Sequence, residues 1–514
     1  MALAACACIA PQRTPDVLVM ASGADLESAN PLVTVHPLSR QVERYALFVT
    51  LVRYDSLLQP QPYFARRWSW GDGGRILTLT LARDLTWHDG VRTTAHDAAF
   101  TYLAARDPAT GFSRSAELAK LDTAVAVDDT TLVLTFRTAP PGLPPLLAEL
   151  PIVPAHRLAS VPRSSMRIAA FNDAPLGNGP FRFVSRHRGA RWTFARNESF
   201  PASLGGPPAL AGFVVTVVDE ATTKFAGLAS GELDVAGISP TMSDVAARDA
   251  TLRIVSYPVL FGTALCFNTT RPPFDDARVR RAVALSIQRQ RIVQVALSGF
   301  GRADASAISP DNSLHHPAAA VDTAKADALL DSAGWQRGSD GRRVRGGREL
   351  AVELLTVGTG DNVVEQLIQS DLAARGIVVR IRQTEMGAFL SLARARNKEF
   401  DMLVAGIPGD LSLSYVSAMF ASAQAGGTLD YTGFHSRQLD EVLTRAADAP
   451  AGDAQRFAWR DVQIALDSLA PATWLYHSRG LQGLSRRVRG VHMDLRGELV
   501  TLHDWHFAHT GDRS

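Results

Sequence analysis

The sequence predicts an α/β protein of more than one domain, and three observations carry that prediction. The chain has 514 residues, more than a single hydrophobic core ordinarily supports. Between residues 350 and 405 it alternates strand, helix, strand, helix, strand, the pattern of a parallel sheet with covering helices. The first half carries short runs of alternating apolar and polar residues instead, which suit half-buried antiparallel strands with scattered helices.

Composition narrows the class of function. With 46% hydrophobic and 20% charged residues the chain has the makeup of a folded globular protein. Its 53 basic and 51 acidic residues leave a net charge of +2, so nothing points to a polyanionic partner such as nucleic acid. The three cysteines, Cys6, Cys8 and Cys266, are too few and too badly spaced for a disulfide framework or a four-ligand zinc site. Cys266 lies in the apolar run Thr263-Ala264-Leu265-Cys266-Phe267 and reads as a buried thiol. No apolar run approaches the roughly 18 residues that span a bilayer.

Taken in order, residues 9–18 contain proline and read as a tether. Ile76–Leu81 and Thr131–Phe136 alternate as antiparallel strands do. Pro and Gly cluster at 140–154 and 201–212, marking loops or subdomain edges. Asp219 is placed to cap a helix whose apolar face is Ala221, Phe225, Leu228 and Ala229, with Gly231 ending it. Asp275 is placed to cap a helix burying Val279, Ala282, Val283, Ser286 and Ile287, with Arg278, Arg280 and Arg281 read as a solvated face. A helix over Asp322–Gly334 buries Ala326, Leu329, Leu330 and Ala333. Then come a strand at Leu350–Val357, a helix at Asp361–Arg375 stopped by Gly376, and a strand at Ile377–Ile381. A helix at Met386–Ala395, with Met386, Phe389, Leu390 and Ala393 inward, and a strand at Phe400–Ala405 complete the series.

In such sheets ligands bind beyond the carboxyl ends of the strands. Two loops therefore become candidates: Gly358-Thr359-Gly360 and Gly406-Ile407-Pro408-Gly409-Asp410. Asp410 has two readings, a turn aspartate bonding its own backbone or an anchor for a ligand ammonium group. No Gly-x-Ser-x-Gly elbow, P-loop or His-Glu-x-x-His motif occurs, and Gly358-Thr359-Gly360 lacks the third glycine of a dinucleotide site. His503, His506 and His509 read as a polar tail rather than a metal site, and His315-His316 as loop, so neither a metal nor a cofactor is expected.

Motifs along the chain then accumulate into a resemblance. Tyr54-Asp55-Ser56-Leu57-Leu58, Phe64 to Trp70, Trp87-His88-Asp89-Gly90 with Thr94-Ala95-His96-Asp97, and Pro175 to Phe181 with Arg196-Asn197 occur in one order. Gly231-Glu232-Leu233-Asp234-Val235, Phe267-Asn268 and Pro272 to Ala282 follow. Over about residues 17–500 the chain resembles the family 5 extracellular solute-binding proteins of ABC transporters, which handle oligopeptides, dipeptides and nickel complexes. His96 stands where that family usually has glutamate. Most of these motif residues read as fold devices: Gly90 free to take positive φ, Gly177 and Gly179 the same, and Asp275 a helix cap.

The resemblance implies a two-lobed periplasmic-binding-protein fold of type II, in the large cluster with an extra β-rich subdomain. Lobe one would comprise 14–263 and 477–514, with an inserted subdomain at about 50–170, and lobe two 264–476. The hinge would be two chain crossings near Gly262–Asn268 and Thr473–Ser478, and ligand would favour the closed state. It implies a receptor without catalysis that captures a peptide or peptide-like solute and delivers it to membrane permease subunits, working as a monomer. Asp410 aligns with the aspartate holding a peptide's α-ammonium, while Ile407 stands where the family usually has tryptophan. Gly409, Tyr415, Ser22, Gly23, Gly358 and Gly360 complete the expected ligand contacts.

Leu3-Ala4-Ala5-Cys6 resembles a bacterial lipobox, with Cys6 the lipidated residue, although the usual charged and apolar leader is missing and chance also produces such a tetrapeptide. Residues 1–13 would then be a truncated signal and tether, and the protein periplasmic or envelope-anchored. Competing readings are the same fold binding a metal chelate, sugar or opine, a hydrolase on a similar scaffold, and the sensing domain of a regulator.

Overall fold

The structure, a computed structural model, describes residues 16–358 and 362–508. The chain divides into two compact units: one runs to Val255 and resumes at Leu481, and the other is Ser256–Gly480. The resemblance had suggested boundaries at 263/264 and 476/477.

The first unit opens on β1 (Val17–Ser22). The inserted β-rich region contains β2 (Ala65–Gly71), β3 (Ile76–Leu81), β4 (Leu121–Asp128) and β5 (Thr131–Phe136), antiparallel in the order β2-β3-β5-β4. Every second residue of β3 and β5 is buried (Leu77, Leu79, Leu81; Leu132, Leu134, Phe136), as their alternation predicts. Helix α1 (Ala95–Arg106) packs on this sheet. Its start is a capping box in which Thr94 and Asp97 exchange side-chain and backbone bonds, and Asp97 also accepts from the backbone of Ala155 at 2.9 Å. That motif therefore ties a helix to a distant loop.

The main sheet of this unit adds β6 (Phe181–His187), β7 (Arg191–Arg196), β8 (Gly212–Val217) and, after helix α2 (Ala221–Ser230), β9 (Val235–Gly237), in the order β9-β1-β8-β7-β6. β1 is parallel to both β8 and β9, and β6 to β8 form an antiparallel meander. Two expectations for α2 need correction. Glu220, not Asp219, caps it, because the Glu220 carboxylate reaches the N–H groups of Thr222 and Thr223. Leu228 is buried but Ala221 and Ala229 are exposed. Gly231 ends the helix with φ +78, as expected. Gly90 has φ +85 in a turn closed by its N–H onto Trp87 O. Gly177 and Gly179 do not adopt positive φ; a Cβ on them would lie 2.0 Å from Leu47 O and 2.4 Å from Ala46 O, so close backbone approach is what requires glycine.

The second unit begins within β10 (Leu252–Phe267) and continues through α3 (Ala277–Ser286) and α4 (Thr323–Ser332). The predicted alternation follows as β11 (Ala351–Val357), α5 (Val363–Ala373), β12 (Val378–Thr384), α6 (Met386–Arg394) and β13 (Met402–Pro408). Helices α7 (Ser414–Phe420) and α8 (Asp453–Leu469) lead to β14 (Ala472–Ser485). The strand order is β12-β11-β13-β10-β14, with β11 parallel to β12 and β13 and β13 antiparallel to β10. β10 and β14 each carry the chain from one unit to the other.

Both faces of this sheet are covered, and alternate residues go to opposite layers. Leu265, Phe267, Leu354, Met402 and Val404 pack with α3, α4 and α5; Ala264, Cys266, Leu355, Leu403, Ala405 and Ile407 pack with α6, α7 and α8. Burial pushes the Cys266 thiol up to about 12, which keeps it protonated and inert. Met386, expected inward on α6, is 53% exposed at the helix start. Asp276, not Asp275, caps α3. Arg280, expected on a solvated face, is buried: it donates to Phe274 O, Leu469 O and Ala470 O and lies over the Phe434 ring. It thereby closes the C-terminus of α8.

Candidate ligand-binding site

The carboxyl ends of β11 and β13 are where the sheet argument places a ligand. Here the structure corrects the expected loop. Strand β13 continues through Gly406, Ile407 and Pro408 because Phe261, Gly262 and Thr263 of β10 pair with Pro408, Ile407 and Gly406. Pleating then sends Ile407 into the α6–α8 layer, 1% exposed, while Gly406 and Pro408 face outward. On that outward face Phe261 is 42% exposed, and its ring covers Gly406 so closely that a Cβ there would lie 2.4 Å from Cζ.

Behind this edge is a small pocket lined by Leu260, Ile407, Gly409, Tyr415, Asn312 and Trp474, among others. The room inside, about 20 Å³, is that of a single water. Its walls are held firmly. Tyr415 is buried and donates from Oη to Ala307 O at 2.7 Å, and burial raises its pKa. The Gly409 N–H donates to Leu260 O at 2.8 Å. His477, also on the wall, bonds Ser306 O through Nε2, and burial lowers its pKa, so it is neutral at pH 7.

Asp410 follows directly. Oδ1 accepts from Ser412 Oγ at 2.6 Å and Ser414 N at 2.9 Å, and Oδ2 accepts from Ser414 Oγ at 2.7 Å. The carboxylate is thus bound into its own loop at the start of α7, where Leu413 takes the left-handed conformation at φ +59. A carboxylate has about four acceptor positions, so one direction on Oδ2 is free of these partners.

The remaining expected contacts fall elsewhere. Gly358, φ +140, ends β11 beside Asn362; Gly360 and Cys6 lie outside the described residues. Ser22 and Gly23 end β1 in the first unit, where Ser22 Oγ donates to Ala24 O at 2.7 Å and accepts from Ala24 N. The structure therefore gathers Ile407, Gly409 and Tyr415 at one pocket with Asp410 adjoining, and engages Ser22 in its own turn. Sequence reading missed Phe261, Asn312 and Trp474; only the pairing of β10 with β13 reveals Phe261, which no local motif marks. Of the histidines, His503 bonds Gly206 O at 2.7 Å, His315 bonds Asp304 Oδ2 at 2.9 Å, and His509 lies outside the described residues. Among the described residues no group of three metal-ligating side chains occurs, and no helix is long and apolar enough to cross a membrane.

A mixed α/β sheet unit joined by two continuous strands to a second such unit bearing an inserted antiparallel sheet is the fold of the two-lobed periplasmic binding proteins. Residues 59–427 match the family described as "Bacterial extracellular solute-binding proteins, family 5 Middle", and the chain belongs to that family. It is 28% identical over 420 residues to the "Probable di/tripeptide-binding protein 5" of Pseudomonas aeruginosa, covering 77% of this chain and 76% of that one. In structure it is similar to the oligopeptide-binding protein AppA of Bacillus subtilis in complex with a nonapeptide, with TM-score 0.78, 23% identity and coverage of 96% and 99%. It is similar also to NikZ of Campylobacter jejuni in complex with Ni(L-His), with TM-score 0.80, 21% identity and coverage of 96% and 100%. Members of this family are extracellular receptors of transport systems rather than enzymes.

Proposed function

We propose that this chain captures peptides or peptide-like solutes and delivers them to the permease of an ABC importer, without chemical change. The observation that carries the reading is the family match over residues 59–427, supported by a relative named for di- and tripeptides along three-quarters of each chain. In this reading the solute lies at the carboxyl ends of β11 and β13. Asp410 uses its remaining acceptor direction for the ligand ammonium, Phe261 supplies the aromatic surface that Ile407 does not, and Gly409, Tyr415 and Gly358 shape the wall. Ser22, Gly23 and Gly360 are further contacts, and motion about the β10 and β14 crossings closes the receptor on its ligand.

Calorimetry with a di- and tripeptide mixture tests it. Saturable binding without turnover is expected, and Asp410→Ala weakens it by about 2 kcal/mol or more through loss of a charge-assisted bond. Unchanged affinity in that variant removes Asp410 from the site. A second reading, a metal chelate as ligand, is favoured by the self-satisfied loop of Asp410, and binding of Ni(L-His) in preference to peptides would establish it. We propose also that Cys6 anchors the protein through a lipid when a complete leader precedes it; fatty-acid labelling lost in Cys6→Ser is the expected result. The receptor is proposed to be monomeric, which sedimentation checks.

A further inference from the structure

Strand β10 carries a glycine at a core position where a side chain would ordinarily pack. Gly262 pairs with Ile407 of β13, and pleating turns both toward the α6–α8 layer. Its φ is not positive, so backbone conformation does not call for glycine. Space does. A Cβ there would lie 2.8 Å from Trp474 Cδ1, 2.9 Å from Trp474 Nε1 and 3.2 Å from His477 Nδ1. The missing side chain keeps the small pocket behind the β13 edge open between an indole N–H and an imidazole nitrogen.

The polar atoms facing that space are unspent. Trp474 and His477 are both buried, and among the described residues nothing accepts from the Trp474 indole N–H. His477 Nε2 lies 3.0 Å from Ser306 O; a carbonyl only accepts, so Nε2 carries the proton and Nδ1 of the neutral ring is a bare acceptor. The carboxylate of Asp304, near this ring, is taken by His315 Nε2 and the Ser306 N–H. Asn312, also buried on the wall, accepts the Leu314 N–H on Oδ1 at 2.9 Å, which leaves its Nδ2 without a partner among the described residues. Tyr415 and Ser309 are already engaged, by Ala307 O and the Asp311 N–H. Two donors and one acceptor thus line a cavity of about 20 Å³ whose other walls, Leu260, Ile407 and Leu413, are apolar. Buried polar groups left in that state are costly unless something pairs with them.

We propose that this cavity is a subsite for a hydroxyl group of the transported solute, which donates to His477 Nδ1 and accepts from Trp474 Nε1, with Asn312 Nδ2 as a second donor. A carboxylate only accepts and would face the His477 lone pair; an ammonium only donates and would face two N–H groups; a methyl group leaves all three atoms unmet. A hydroxyl does both, and it is the size of the water that this volume holds. The wall includes Gly409 and adjoins Asp410, which suits a solute whose hydroxyl stands a few bonds from an amino group, as in a seryl peptide. The inference deepens the receptor reading, on which the choice of peptide probes rests.

The test is calorimetry on the whole chain with tri-alanine, the three tripeptides that carry one serine among alanines, and ribose, against wild type, Trp474→Phe and Gly262→Ala. The best seryl peptide is expected to bind wild type about tenfold or more tightly than tri-alanine, because the site's polar atoms go unpaired without the hydroxyl. Trp474→Phe keeps an aromatic ring but removes the donor, and Gly262→Ala fills the space; both bring that ratio toward one. A merely structural role for these residues would weaken seryl and alanyl peptides alike and leave the ratio unmoved, which overturns the subsite. Equal binding of seryl and alanyl peptides by wild type also overturns it and leaves the peptide receptor standing. Ribose binding that is lost in Trp474→Phe, with no peptide bound, upholds the subsite and sinks the peptide reading. Binding of none of these hydroxyl compounds overturns the proposal. Circular dichroism melts of both variants separate loss of binding from loss of fold.

Discussion

Gly179 has no room for a methyl group beside the backbone of Ala46, Leu47 and Phe48, and its carbonyl accepts from Asn197 Nδ2 and His88 Nε2. Gly179→Ala is expected to cost about 3 kcal/mol or more, because backbone must move to admit the Cβ; urea denaturation measures it. His88, bonded at 3.1 Å to that carbonyl, has its pKa pulled down to about 4, chiefly by burial. An unfolded histidine takes its proton near 6.5, so between 6.5 and 4 the unfolded state binds more protons than the folded one. Stability is then expected to fall as pH drops through this window, and His88→Gln to flatten that limb of a pH series of denaturation curves. Asp234, fully buried, accepts from Val19 N at 2.9 Å and from Arg487 Nε and Nη2. At this scale the motifs were legible as architecture. What each side chain bonds was less so: Ser412 and Ser414 stand two and four residues after Asp410 and are local enough to signal a satisfied turn, whereas the Arg487 that Asp234 holds lies far along the chain.

The elements show the same division between local and distant causes. Helical spacing and alternation identify all five elements from β11 to β13, since each buries a regular set of positions in one layer or the other. The end of β13 was misplaced because Gly406, Pro408 and Gly409 carry turn chemistry, yet their pairing with β10, a strand distant in sequence, keeps the chain extended through Pro408. Gly406→Ala tests that edge. The added Cβ pushes the Phe261 ring aside, so ligand affinity is expected to drop about tenfold by calorimetry, while the melting temperature changes little because a mobile ring tip yields. Arg280 is a case where helical spacing put a side chain on the wrong face: an arginine among solvated neighbours is the ordinary reading, and the carbonyls it closes belong to α8. Burial lowers its pKa to about 10, which leaves it charged at neutral pH. Arg280→Met leaves three carbonyls short of a donor and is expected to cost about 3 kcal/mol in denaturant unfolding.

For the whole molecule, length and the ordered series of motifs were enough to indicate the two-lobed family, because those motifs are the devices that set turns, caps and close backbone contacts. Exact boundaries were not, since β10 and β14 run unbroken from one unit into the next and no proline- or glycine-rich linker marks the change. Ligand binding makes a prediction at this scale. Addition of a cognate peptide at about a hundredfold over Kd is expected to stabilise the chain by about 2.7 kcal/mol. Hydrogen exchange is expected to slow near Phe261 and Asp410. Unchanged exchange at Phe261 and Asp410 would argue against a ligand at the carboxyl ends of β11 and β13.

The interruption of the first unit by the second has a bearing on how the protein is made. Residues 256–480 are contiguous, so once Gly480 has left the ribosome or the export channel that body has all its strands. Its host does not: β9 still awaits the far end of β14, and Asp234 still awaits Arg487. Synthesis and translocation proceed from the N-terminus, so the guest is positioned to fold first, leaving Val235 and its neighbours as an open sheet edge until the last segment arrives. That interval is when a chaperone would be most needed.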